Sequence, residues 1–170
     1  MSHIYQDPVI AKYIALFQSK MDGRIKMFYQ GDPLKIPNSN LPCMIISKSQ
    51  TRVAAETNVQ DTQEMSLTIT VVTDTRSDLS TNEDVSKIAP GVATLYDIVE
   101  GREDGTYVLK ANSILGILRN NQLMDSANNL RTDLRSVTRI DYGETIRQRN
   151  PEIYSIEARI EIVVNFIQVR

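Results

Sequence analysis

Between Glu64 and Asp74 the side chains fall into two alternating sets. Met65, Leu67, Ile69 and Val71 form one set; Ser66, Thr68, Thr70 and Val72 form the other. A period of two in β-branched and apolar residues predicts a strand with one apolar face. Asp74 to Asp78, rich in turn formers, predicts its end. The same rhythm returns from Tyr154 to Val169. There Ile156, Ala158, Ile160, Ile162 and Val164 oppose Glu157, Arg159, Glu161 and Val163, which predicts a long final strand. A strand greasy on one side needs neighbours beside it and a second layer on that side.

The helical period supplies that layer. Asp7-Pro8 is a good helix opening, an N-cap followed by proline at the first helical position. Val9, Ile10, Tyr13, Ile14, Phe17 and Met21 then recur at three- and four-residue spacing, and Asp22-Gly23 predicts the stop. Val85 to Glu103 reads as a helix interrupted at Pro90-Gly91, with Val92, Leu95, Tyr96 and Val99 on one face. Tyr107 to Asn121 reads as another helix. Arg24–Tyr29, Leu41–Ser47 and Arg135–Tyr142 complete the strands. Loops are predicted at 31–40 and 74–84, and Lys48–Gln63 reads as a long connection or a strand pair extended away from the core. The order α-β-β-β-α-α-β-β predicts one α+β domain over residues 1–170: a mostly antiparallel β-sheet with helices packed on one face. No internal repeat, low-complexity tract or linker divides it.

Composition narrows the class. Apolar and charged fractions of 41% and 24% are those of an ordinary globular chain, and a net charge of −2 argues against a dedicated nucleic-acid binder. With one cysteine there is no internal disulfide, no apolar run reaches the ~20 residues of a membrane span, and the start lacks the pattern of a signal peptide. These features predict a soluble protein of a reducing compartment.

Charge is unevenly placed. Residues 1–118 carry 11 Lys and Arg against 14 Asp and Glu, whereas 119–149 carry six arginines, no lysine and four acids. Arginine without lysine suits fixed, bidentate contacts to carboxylates; with acids interleaved, a mixed solvated surface is the alternative.

Candidate chemistry is sparse. His3 and Cys43 are the only histidine and cysteine and lie in unlike segments, short of a zinc ligand set. The acids at 74–78 and 82–84 lack EF-hand spacing. No glycine-rich phosphate loop is present, and the absence of tryptophan disfavours a sugar cleft. The sequence therefore predicts no catalytic residue, cofactor or metal, and points to an interaction protein. The 48–63 connection can reach a neighbour, and sheet edges offer unpaired backbone groups.

In its order of parts the chain resembles the tail terminator (tail completion or neck) proteins of long-tailed bacteriophages. The resembling stretches are the N-terminal helix with Ile25–Tyr29, the strand 65–73, Leu95–Val99, Ser113–Arg119, Arg139–Glu144 and Ile156–Phe166. The resemblance implies a non-catalytic virion protein, assembled in the host cytoplasm without membrane contact. It implies a homo-oligomeric ring, hexameric in this family, at the head-proximal end of the tail tube. Such a ring ends tube polymerisation and offers the head its docking surface. Its neighbours would be the tail tube protein and the head connector, and viral DNA would pass through the lumen without specific binding. Within such a ring, Arg131, Arg135, Arg139, Arg147 and Arg149 are candidates to pair across subunits with Glu56, Asp61 and Glu64. The alternatives are another neck or head-completion ring or, from a different class, a small α+β hydrolase or ligand-binding domain.

Overall fold

A computed structural model describes residues 6–55, 60–76, 89–120, 137–143, 146–150 and 153–169. The chain runs α1 (Pro8–Lys20), β1 (Met27–Gln30), a 3-10 turn (Asn38–Asn40), β2 (Cys43–Ala55), β3 (Gln60–Asp74), α2 (Pro90–Glu100), α3 (Ile114–Asn120), β4 (Val137–Tyr142), β5 (Ile146–Asn150) and β6 (Ile153–Val169). The strands form one six-stranded sheet in the order β1-β2-β3-β6-β4, with β5 also against β6. Among the described strands only β1–β2 is parallel; the other pairings are antiparallel. This is the α+β architecture expected.

Register and alternation together make a two-layer molecule. Ile69 sits between Ile46 of β2 and Ile160 of β6, and Leu67 faces Ile162. These residues share one face, and α1, α2 and α3 bury their apolar stripes against it in a common core. The N-cap of α1 is Asp7, whose Oδ1 accepts from the N–H groups of Val9 (2.9 Å) and Ile10 (3.4 Å). Its other carboxylate oxygen meets Lys48 Nζ at 3.4 Å, tying the helix start to β2. Asp22 (φ 47°) and Gly23 (φ 73°) turn the chain out of the helix, a backbone region that asparagine-like residues and glycine tolerate best. On the opposite face a smaller cluster forms where the 31–41 loop folds Ile36 and Leu41 over Cys43, Ile45 and Val72.

Two helical expectations are corrected. Pro90 does not interrupt α2 but opens it, supplying the preset φ of a first helical residue; residues 85–88 lie outside the described residues. The stretch from Tyr107 becomes helical only at Ile114, after Ser113 Oγ accepts from the Gly116 N–H (3.1 Å) as a helix cap does. Before it, residues 102–109 form a tight turn closed by an Arg102–Leu109 bridge, with Gly105 at φ 69°. Nor was β5 (Ile146–Asn150) among the expected strands. In compensation, Lys48–Gln63 is largely the extended strand pair, because β2 and β3 run on to Ala55 and Gln60. The predicted polar loop at 74–84 lies mostly outside the described residues.

Ile69 is fully buried between two bonded strands and beneath the helices. Ile69→Ala should cost roughly 2–5 kcal/mol through lost burial and an incompletely refilled cavity. Urea unfolding followed by circular dichroism measures it; a loss below ~1 kcal/mol would contradict the central place given to β3.

Candidate functional site

The sheet face turned away from the helices follows from the second half of each alternating set. Ser66, Thr68 and Thr70 of β3 lie beside Val163, Glu161 and Arg159 of β6. On β4, Arg139 lies opposite Glu161 and Asp141 opposite Arg159, so unlike charges face each other across the strands. Within the strands, Arg139 Nε meets Asp141 Oδ2 at 2.7 Å and Arg159 Nη2 meets Glu157 Oε1 at 2.7 Å. The outcome is a hydroxyl-rich, charge-alternating surface. The exposed Arg139–Asp141 pair contributes at most ~1 kcal/mol, whereas the Glu157 side chain is largely covered beneath Arg159.

Among the described residues, the sheet is longer than the helix layer that covers it. Met65 is 3% exposed, yet Val53, two positions further out on the same face, is 59% exposed. Beyond that point, among the described strands, only β2, β3 and β6 continue. Residues 60–64 of β3 alone carry this section ~17 Å onward at the usual strand rise. The flanking strands stop earlier: β1 pairs with β2 only over Cys43–Ile46, and β4 pairs with β6 no further than Ile162. Among the described residues, no strand lies outside β2 past Ile46 or outside β6 past Ile162.

Of the interface candidates, the structure describes the side chains of Glu64 and Arg139. Glu64 approaches Arg52 of the adjacent β2 at 3.8 Å, and Arg139 holds Asp141, so each meets a partner within its own chain. The two are not brought together, because β6 separates β3 from β4. Asp61 has its backbone in β3, and Arg147 and Arg149 in β5. Their side chains, and all of Glu56, Arg131 and Arg135, lie outside the described residues.

Behind the sheet, charged contacts that spacing along the chain could not reveal hold the helix layer together. Arg24 donates to the Asn112 carbonyl (3.1 Å) and Oδ1 (3.2 Å) and forms an ion pair with Asp97. Lys110 Nζ reaches the other Asp97 oxygen at 2.7 Å, and this hydrogen bond raises its pKa. A shallow cleft of about 460 Å³ beside them is lined by Arg24, Ala93, Thr94, Asp97 and Ile98. A second, of about 280 Å³, is bordered by Lys26, Asp74 and Arg76. Burial pushes the Asp74 carboxyl upward, but the hydrogen bonds and charge of Arg76 outweigh it and hold the carboxyl below its usual value. Arg24, Lys110 and Arg76 thus each already hold a carboxylate. Among the described residues no group of three or more His, Cys, Asp or Glu is placed to hold a metal ion, and Cys43 is buried. No described helix is long and apolar enough to cross a membrane.

At the end of α2, Tyr142 of β4 donates to Glu100 Oε1 (2.7 Å) and packs edge-on against Tyr96, ring centres 4.8 Å apart. Burial, then the Glu100 hydrogen bond and charge, push the phenol pKa well above its usual value. A raised folded-state value means stabilisation intact below the ordinary phenol range near ~10 and lost as pH climbs beyond it. Tyr142→Phe should therefore flatten the loss of stability above about pH 10, at a cost near ~1 kcal/mol at neutral pH for the missing hydrogen bond. Urea midpoints of both proteins at pH 8 and pH 11 test this; parallel declines would refute it.

No known family model matches this chain, and no curated protein matches it significantly.

Proposed function

We propose that this chain is a virion structural protein, a tail terminator whose copies form a hexameric ring at the head-proximal end of a phage tail tube. There it ends tube growth and gives the head connector its docking surface. It acts by shape and has no catalytic role. The observation that supports this most is the β2–β3–β6 section, which continues past the helix layer and gives each subunit a rigid platform reaching beyond its own core. Its hydroxyl-rich face with alternating charges is suited to a lumen that lets DNA slide without holding it. The opposite, helix-bearing side would face outward. Loop tips that carry Leu34, Tyr107 and Val108 into solvent offer apolar contacts to neighbouring rings. A ring closed by head-to-tail contacts also presents two unlike ends, as a part joining tube to head requires.

Electron microscopy of particles assembled without this protein tests the role directly. Overlong or polydisperse tails without heads are expected. Filled heads lacking tails would move the protein to the connector side, and normal virions would end the proposal. Within the ring, charge reversal at Arg147 should reduce assembly at least tenfold if the arginine-rich segment makes buried inter-subunit pairs. Unchanged ring formation by Arg147→Glu in solution-mass measurements would remove that segment from the interface.

A further inference from the structure

The backbone groups at the outer end of the sheet that no described strand pairs can be assigned strand by strand. Thr75, just past the end of β3, donates its N–H to the Tyr154 carbonyl of β6 (3.0 Å), so odd-numbered positions of β3 turn their backbone groups toward β6. Their partners on β2 are Thr51 (opposite Met65), Val53 (opposite Gln63) and Ala55 (opposite Asp61). These three therefore turn their N–H and C=O groups away from β3. On β6, Glu157 accepts from the Gly143 N–H on the β4 side (2.9 Å), which places odd-numbered positions outward there. Past Ile162 these are Val163, Asn165, Ile167 and Val169. The two edges thus present matching rows at the same two-residue spacing.

Direction and face restrict how the rows can meet. Both β2 and β6 are antiparallel to β3, so they run the same way. The outward-turned residues of β2 belong to the helix side of the sheet, since Thr51 lies opposite Met65. Those of β6 alternate with Ile162 and Val164 and so belong to the polar side. In a parallel ladder, each outward residue of one strand bonds the two residues flanking its own partner. Side chains of opposite parity are then what keeps the faces continuous. An antiparallel β6–β2 contact would instead turn one copy's helices onto the other copy's polar face.

We propose that copies of this chain join head to tail, β6 of one running parallel to β2 of the next, so that one continuous sheet keeps all helices on a single side. A two-fold contact, β2 to β2 or β6 to β6, satisfies one edge and leaves the other bare. The head-to-tail contact satisfies both with a single interface, and the twist of the sheet gives it a route to closure. Nothing in this pairing depends on where the assembly works. A protein that joins in this way yet leaves tails unaffected would sink the terminator role alone.

Cysteine pairs on the polar face test the pairing, with Cys43 buried and out of reach of oxidant. Gln50→Cys or Arg52→Cys is combined with Val163→Cys or Asn165→Cys, and the proteins are oxidised and run without reductant. At least one double variant is expected to give a ladder of covalent multimers, while every single variant stays at one chain. Dimers from a single variant would overturn the proposal in favour of a two-fold contact. A second variant reads the same edge without cross-linking. Val53→Pro deletes an outward N–H and leaves the β2–β3 ladder whole, so circular dichroism should be unchanged while the solution mass falls to one chain. A mass equal to that of the unsubstituted protein, or an unsubstituted protein that is itself a single chain at every concentration, would equally overturn it.

Discussion

Everything in this molecule depends on β3 being bonded along its length on both sides. From Gln60 to Asp74 it meets β6 residue for residue, and from Asp61 to Val72 it meets β2. A lone hairpin is marginal in water, whereas three strands with an apolar face can hold themselves together. That difference is why the sheet can outrun its helices. The section past Met65 is the middle of a three-stranded ribbon rooted in a buried core, so its backbone groups are paired internally even where no described helix lies above it. A two-stranded arm of the same length would need a partner simply to keep its shape.

Most of the stability comes from the covered end. The core cluster draws on all three described helices and the helix-facing residues of β2, β3 and β6, each side chain contributing on the order of 1.5–3 kcal/mol on burial. The ion pairs are different in kind. Arg52–Glu64, Arg139–Asp141 and Arg76–Asp74 all keep substantial exposure, and such pairs contribute little. Arg24 with Asp97 and Asn112 is the more consequential contact, because its arginine side chain is mostly covered and it joins the end of α1's turn to α2 and to the loop before α3. Polar contacts here fix how elements are placed, and apolar burial holds them there.

How much of this was legible follows from the same physics. β3 and β6 could be read to within a few residues because one buried face and one open face impose a strict period of two on the sequence. The first helix was legible from its Asp7-Pro8 start and Asp22-Gly23 stop. The helices near 90 and 114 were blurred because apolar clustering marks burial, not conformation. Leu109 belongs to a turn, Ile114 to a helix, and both sit among apolar neighbours. The Asp104-Gly105 turn pair and the cap at Ser113 were the usable signals. β5 was invisible, since Ile146-Arg-Gln-Arg-Asn150 has no apolar alternation to read. Arg24 with Asp97, 73 positions apart, and Tyr142 with Glu100, 42 apart, were beyond any spacing rule. Of the charged interface candidates, the sequence identified residues able to form pairs, but Glu64 and Arg139 each found a nearer partner on a strand beside them or on their own.

The ends of the sheet are treated unequally, and that contrast is informative. Exposed strand edges invite unwanted pairing, and proteins blunt them with short strands, bulges or cover. At the helix-covered end this has been done twice. β1 is only Met27–Gln30 and shields β2 as far as Ile46, while β4 and β5 follow β6 with breaks in register between Val137 and Arg139 and between Ile146 and Asn150. At the outer end the protection among the described residues is slight: a bulge between Lys48 and Gln50, with Lys48 and Arg52 along β2. A chain under selection only to remain a single molecule would gain by extending the guard strands a few residues or by trimming the ribbon, since both are small changes. Keeping the ribbon long and its rims open has a cost in solubility, which is offset when those rims have something to pair with. Guarding one end while exposing the other also restricts the contact to one stretch of each edge, so that any partner strand is held in a limited range of registers.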